Sequence, residues 1–164
     1  MSRACHQIKQ ICLDIVAEDE SNTNNNPLIL ADTTDLKWNN PGLFNANMWD
    51  FAGGGREGDE TPKECAIRET KEEFSINLQT ESFIWEKDYP AQKNPNQKAW
   101  FMVALLSQAD ITSIVLREGQ KWNLISEVDF FERKDVIEAL KGRFRDFLDL
   151  YTPEGKSSFF RGKY

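Results

Sequence analysis

Six residues between Gly54 and Glu73 have the types and spacing to hold a divalent cation against a phosphate. Gly54 is followed by Glu60 six positions on, then by Arg68-Glu69 and by Glu72-Glu73. At about 100° per residue on a helix, Glu69, Glu72 and Glu73 share one arc. Three carboxylates on one side are hard oxygen ligands of the kind Mg2+ or Mn2+ prefers, and such ions keep positions for water and substrate phosphate. Clustered carboxylates beside the Gly53-Gly54-Gly55 run therefore suit metal-assisted hydrolysis at phosphorus.

Two local structures must position these groups. The glycines and Gly58-Asp59 are turn chemistry. Thr61-Pro62-Lys63-Glu64 then starts a helix, with a threonine N-cap, proline at the first helical position and a glutamate that closes a capping box. The helix is expected from Pro62 to about Phe74, with Ala66, Ile67, Thr70 and Phe74 against the core and Arg68, Lys71 and Glu64 toward solvent. Ordinary surface glutamates would sit poorly here. Glu69 repels Glu72 and Glu73 by roughly 0.2–0.5 kcal/mol each. The helix dipole disfavours anions in the last turn by roughly 0.3–1 kcal/mol apiece. A bound cation reverses the sign of all these contributions.

The order of glycine, Glu60, Arg68-Glu69 and Glu72-Glu73 resembles the Nudix box of the Nudix hydrolases, and Trp49-Asp50-Phe51-Ala52-Gly53-Gly54 is similar to the strand that enters it. The resemblance implies an α/β/α sandwich, a mixed sheet between helices, and hydrolysis of a nucleoside diphosphate linked to another moiety with Mg2+ or Mn2+. Carried over by position, it implies that Glu69, Glu72 and Glu73 are metal ligands, with the Gly53 carbonyl as a further one. Glu60 would stabilise the loop or reach the metal through water, and Arg68 would orient the carboxylates, its spacing from Glu72 permitting an ion pair. Three positions depart from the pattern. Thr70 stands at an apolar position, acceptable if its hydroxyl bonds a carbonyl one turn back. Ser75 replaces a glycine where left-handed backbone is usual, at about 1 kcal/mol. Ala52 replaces a proline.

A general base is sought among carboxylates. The single histidine, His6, would serve only if the N-terminal end folded over the site. Glu118, beside Gly119, is the best candidate outside the box, because many Nudix proteins carry a glutamate in a late loop; a solvated turn residue is the equal alternative, and then Glu72 or Glu73 takes the part. Arg56, next to Gly54 and Gly55, is a candidate phosphate contact through its planar fork. Trp38, Tyr89 and Trp100 could stack on a base, but packing is the commoner use of such side chains.

The rest of the chain bounds the setting. Its 164 residues suffice for one buried domain, taken as residues 1–164. A net charge of −7 argues against broad nucleic-acid or anionic-membrane binding, and with it an RNA-end substrate, while leaving room for a local basic pocket for a small nucleotide. Cys5, Cys12 and Cys65 lack zinc-site spacing and form no disulfide framework. No apolar run is long enough for a membrane span and no signal-peptide core is present, so a cytoplasmic protein is expected, with a homodimer compatible. Strands are expected at Ile8–Ala17, Pro27–Ala31, Met48–Ala52, Ser82–Lys87, Ala99–Ser107 and Trp122–Ile125, with a loop from Asp88 to Lys98 and a second long helix over Asp135–Tyr151. A catalytically silent Nudix-fold nucleotide-binding or regulatory module is the alternative function, disfavoured by three mutually repelling glutamates that such a module would not need.

Overall fold

The computed structural model describes residues 11–15, 28–33, 48–91, 94–117 and 121–150. His6, Trp38 and Glu118 lie outside the described residues. Strands β1 (Ile11–Ile15), β2 (Leu28–Thr33), β3 (Trp49–Asp50), β4 (Phe83–Pro90), β5 (Lys98–Leu105) and β6 (Trp122–Ser126) form one sheet. Its order is β3-β2-β1-β5-β4, with β6 pairing β2. Only β1 and β5 run parallel, Ile11 facing Met102 and Asp14 facing Leu105, and the other pairs are antiparallel. This is the expected mixed sheet. Asp32 is paired with both Asp50 and Trp122, so β3 and β6 flank β2 on opposite sides.

Period-2 alternation along the strands divides the apolar side chains between two cores. On one face Phe101, Val103, Ile125, Trp49 and Phe51 meet the helices α3 (Glu127–Glu132) and α4 (Glu138–Leu150), which supply Phe130, Leu140, Phe144 and Phe147. Those last three residues of α4 repeat at four- and three-residue steps, as an apolar stripe must. Phe51 stacks on Phe130 with centroids 5.3 Å apart, and Phe130 meets Phe144 edge-on at 5.6 Å. On the other face Met102, Ala104 and Ala52 pack against Ala66 and Phe74 of α1 (Pro62–Phe74) and Ile111 of α2 (Gln108–Thr112). The sandwich of helices about a sheet is the one implied by the box.

Several boundaries differ from the pattern in the sequence. Strand β4 continues to Pro90, opposite Lys98, so the expected loop from Asp88 is shorter. Strand β5 stops at Leu105 because Ser107 caps α2, its hydroxyl accepting from the Asp110 N–H. Helix α4 begins at Glu138, not Asp135. Residues 135–137 instead lie beside β3, with Val136 bridging Trp49, where the Trp49 N–H donates to the Asp135 carbonyl and the Ile137 N–H to the Trp49 carbonyl. The pairing gives the short β3 strand backbone partners that a helix could not offer. Helices α2 and α3 were not expected, although Ser107-x-x-Asp110 and Ser126-x-x-Asp129 are N-terminal signatures.

Candidate active site

Helix α1 spans Pro62–Phe74, and its start is the capping box expected of Thr61 and Glu64: the Glu64 N–H donates to Thr61 Oγ1 at 3.3 Å and the Thr61 N–H to Glu64 Oε2 at 2.6 Å. Its buried side carries Cys65, Ala66, Thr70 and Phe74, with Ile67 only half buried. The buried Thr70 hydroxyl donates to the Ala66 carbonyl at 2.8 Å, which satisfies a polar group at an apolar position. Burial pushes the Cys65 thiol up to about 12, so it stays protonated.

Arg68 organises the loop in front of this helix. Its Nε and Nη2 donate to the two carboxylate oxygens of Glu60 at 2.6 and 3.2 Å, a forked pair. Nη1 is shared by Glu69 at 2.8 Å and Glu72 at 3.0 Å. Nη2 also donates to the Gly55 carbonyl at 2.8 Å. Glu60 in turn accepts the Glu57 N–H at 2.9 Å. The hydrogen bonds from Arg68 hold the Glu60 carboxyl below its ordinary 4.5, and that same pairing, with Glu69 beside it, raises Arg68. Arg68 is therefore more than a surface ion pair: one guanidinium ties the loop, through Glu60 and Gly55, to two of the box carboxylates. Glu60 braces the loop through Arg68 and the Glu57 N–H.

The glycines have local reasons. A Cβ on Gly54 would fall on the carboxylate of Glu69, so only glycine lets that side chain lie across the loop. Gly58 has φ 52°, the left-handed conformation of the turn before the helix. Glu73 is buried and accepts the Gly53 N–H at 3.2 Å, which anchors the loop to the far end of α1. Gly53, Gly54 and Gly55 are thus each in contact with a different charged residue of the helix: Glu73, Glu69 and Arg68.

The expected ligands do not converge on one point as they stand. Glu69 and Glu72 converge on Arg68 Nη1, while Glu73 turns to the Gly53 amide. Among the described residues no group of three or more His, Cys, Asp or Glu is gathered to hold an ion. The donor set nevertheless fits Mg2+ or Mn2+ in kind, since every candidate atom is a carboxylate or carbonyl oxygen. Two of the carboxylates already meet at one positively charged atom.

The helix ends in the left-handed Ser75, φ 61°, the conformation expected at that position. Its last carbonyls are taken up by a segment far along the chain: the Val115 N–H donates to Phe74 O at 3.1 Å and the Arg117 N–H to Glu73 O at 2.8 Å. Glu118, the outside candidate for a base, follows directly on that anchored residue. Arg117 itself was missed in the sequence, where nothing short-range links it to α1. Arg56 lies half buried in the loop. Tyr89 packs on the α4 face, away from the box helix, donating its hydroxyl to Asp146 at 3.0 Å beneath Arg143. Trp100 packs on the core beneath α1.

The family model for the NUDIX domain matches residues 19–151, and the chain belongs to the Nudix hydrolase family. No curated protein sequence matches it. Among solved structures, a MutT protein from Methanosarcina mazei Go1 is 19% identical, with TM-score 0.58 over 85% of this chain and 94% of that one. A C. elegans Ap4A hydrolase is 20% identical, with TM-score 0.57 over 86% and 98% of the two chains. A bifunctional NMN adenylyltransferase/ADP ribose pyrophosphatase from Francisella tularensis is 22% identical, with TM-score 0.55 over 85% of this chain and 40% of that one. These likenesses are of fold. No described helix is long and apolar enough to cross a membrane.

Proposed function

We propose that this chain hydrolyses a pyrophosphate bond in a nucleoside diphosphate linked to another group, using Mg2+ or Mn2+. The observation that carries the reading is the clamp made by Arg68, which fixes Glu60, Glu69, Glu72 and the Gly55 carbonyl at once, beside a glycine shaped to the Glu69 carboxylate. Such an arrangement preorganises charge along a phosphate-accepting loop, and preorganised charge is the main contribution a protein makes to phosphoryl chemistry.

Glu69, Glu72, Glu73 and the Gly53 carbonyl would hold the ion, which when bound would offset phosphate charge and lower the pKa of the attacking water. The remaining work falls to the chain. Arg68 keeps Glu69 and Glu72 from drifting apart despite their repulsion. Glu73, anchored on the Gly53 amide, keeps the glycine loop against the helix. Backbone groups of Gly54 and Gly55, with the guanidinium of Arg56, would meet a phosphate oxygen. Glu118 would take the proton from water, its chain neighbour Arg117 being held on the Glu73 carbonyl.

The test is release of phosphate or pyrophosphate by the purified protein, with and without Mg2+ or Mn2+, across dNTPs, nucleotide sugars, dinucleoside polyphosphates and coenzymes. Metal-dependent hydrolysis of one class supports the reading and names the substrate. Silence across the panel, with Mg2+ still bound, would favour the nucleotide-binding module.

A further inference from the structure

An open cleft of about 710 Å3 lies beside the box, lined by Arg68, Lys71, Glu72, Ser75, Asn77 and Arg117. Three of these side chains are cationic and one is a carboxylate, which already pairs with Arg68. In a chain of net charge −7 this is a local reversal of sign. Among the described residues no acidic side chain forms an ion pair with Lys71 or Arg117. Two cations without a carboxylate partner, at one cleft, make an attractive field for an anion.

The backbone at Ser75 adds a second, independent observation. Ser75 is the only non-glycine residue at positive φ among the described residues. Glycine would hold that left-handed cap about 1 kcal/mol more cheaply. The serine hydroxyl has a use that glycine lacks. It accepts from Arg117 Nε at 2.7 Å and donates to the Val115 carbonyl at 3.1 Å. With Nε fixed, the planar guanidinium of Arg117 is preoriented at the cleft and its Nη groups are left to serve a ligand. The serine thus offsets a backbone cost of about 1 kcal/mol with a side-chain contact that orients Arg117. Lys71, in the last turn of the helix, has an additional reason to be there in the dipole.

We infer that Arg117, oriented by Ser75 and assisted by Lys71, binds the phosphate groups of the substrate that lie beyond the scissile bond, so that the cleft favours substrates with a longer phosphate chain. The guanidinium fork matches two phosphate oxygens, Lys71 adds a point charge, and Asn77 offers an amide donor. Glu72, at once a wall of this cleft and a box carboxylate, makes the two sites continuous. The inference rests on the proposed function for what the phosphates are attached to, and on the cleft alone for the phosphates.

Inorganic tripolyphosphate, titrated into the metal-free protein at low salt and followed by calorimetry and by the NMR signal of Arg117 Nε–H, separates the two. Binding is expected to shift that signal and to weaken with salt. Arg117→Gln should weaken it about tenfold and Lys71→Gln severalfold, in line with the loss of a charge-assisted contact. Ser75→Gly should weaken it by about threefold while the melting temperature stays level or rises, a combination that a merely structural serine would not produce. Arg117→Lys should recover only part of the affinity, because an ammonium has no Nε to rest on Ser75. Tripolyphosphate affinity unchanged in both Arg117→Gln and Ser75→Gly overturns the inference, whatever the catalytic panel shows. Affinity that falls as stated in a protein silent on the panel upholds the cleft and overturns the enzymatic reading instead.

Discussion

Replacing Glu60 with glutamine tests the clamp without changing its size. Glu60 uses both oxygens: Oε1 takes Arg68 Nε at 2.6 Å, and Oε2 takes Arg68 Nη2 at 3.2 Å and the Glu57 N–H at 2.9 Å. Glutamine has one oxygen and one NH2, so a donor is brought against either Arg68 or the Glu57 amide, and the charge is lost. A hydrogen bond to a charged group contributes roughly 1.5–3 kcal/mol. With the Glu60 side chain 16% exposed, little is returned by solvent, and we predict a loss of about 2 kcal/mol at pH 7. For a domain of this size that is about 4–8 °C in melting temperature. The carboxyl is depressed in the folded state, so its contribution is complete above the unfolded value of 4.5 and disappears as pH falls through the folded value. The gap between wild type and Glu60→Gln, read from urea unfolding, should therefore be full at pH 7 and close below pH 4.5. An equal gap at both ends of this range, or none at pH 7, would refute the reasoning. Activity should fall about tenfold as well, because Arg68 loses the anchor from which it holds Glu69 and Glu72.

Other perturbations act on the remaining parts of the site. Glu72→Gln and Glu73→Gln are predicted to lower turnover by about two orders of magnitude while circular dichroism and melting temperature show an intact fold; near-normal rates in both would remove the metal assignment. Gly54→Ala should drive Glu69 off the loop and cost about tenfold or more in turnover, and a variant as active as wild type would show that the Glu69 carboxylate is not needed there. Chelation of divalent ions should abolish hydrolysis, and readdition of Mg2+ or Mn2+ should restore it; activity that survives the chelator contradicts the proposed cofactor.

The local parts of the site were legible because they are set by short-range geometry. A threonine, a proline and a glutamate in four successive positions place the start of α1 at Pro62, since the capping box needs no partner beyond its own turn. The spacing of Arg68 and Glu72 by four places them within an ion pair for the same reason. Strand alternation likewise announced the sheet, and the long amphipathic stretch announced α4. The shorter helices α2 and α3 escaped because five or six residues carry too little periodicity, although their serine caps were there to be read.

Tertiary structure decided what depends on residues far apart in the chain. Residues 135–137 fall within the amphipathic stretch but lie outside the helix, bonded to Trp49 of β3, whose backbone groups find partners there that a helix does not have to spare. The amide of Gly53 finds Glu73, a turn and a helix away. Arg117 reaches Ser75 across some forty residues, and only then does a cationic cleft exist beside the box. The sequence alone determined the family, the helix that carries the carboxylates and the chemistry those carboxylates favour. Which of them face Arg68, which faces the loop, and how Arg117 comes to lie on Ser75 were settled by packing, because a contact between distant residues leaves no periodic trace in either segment that makes it.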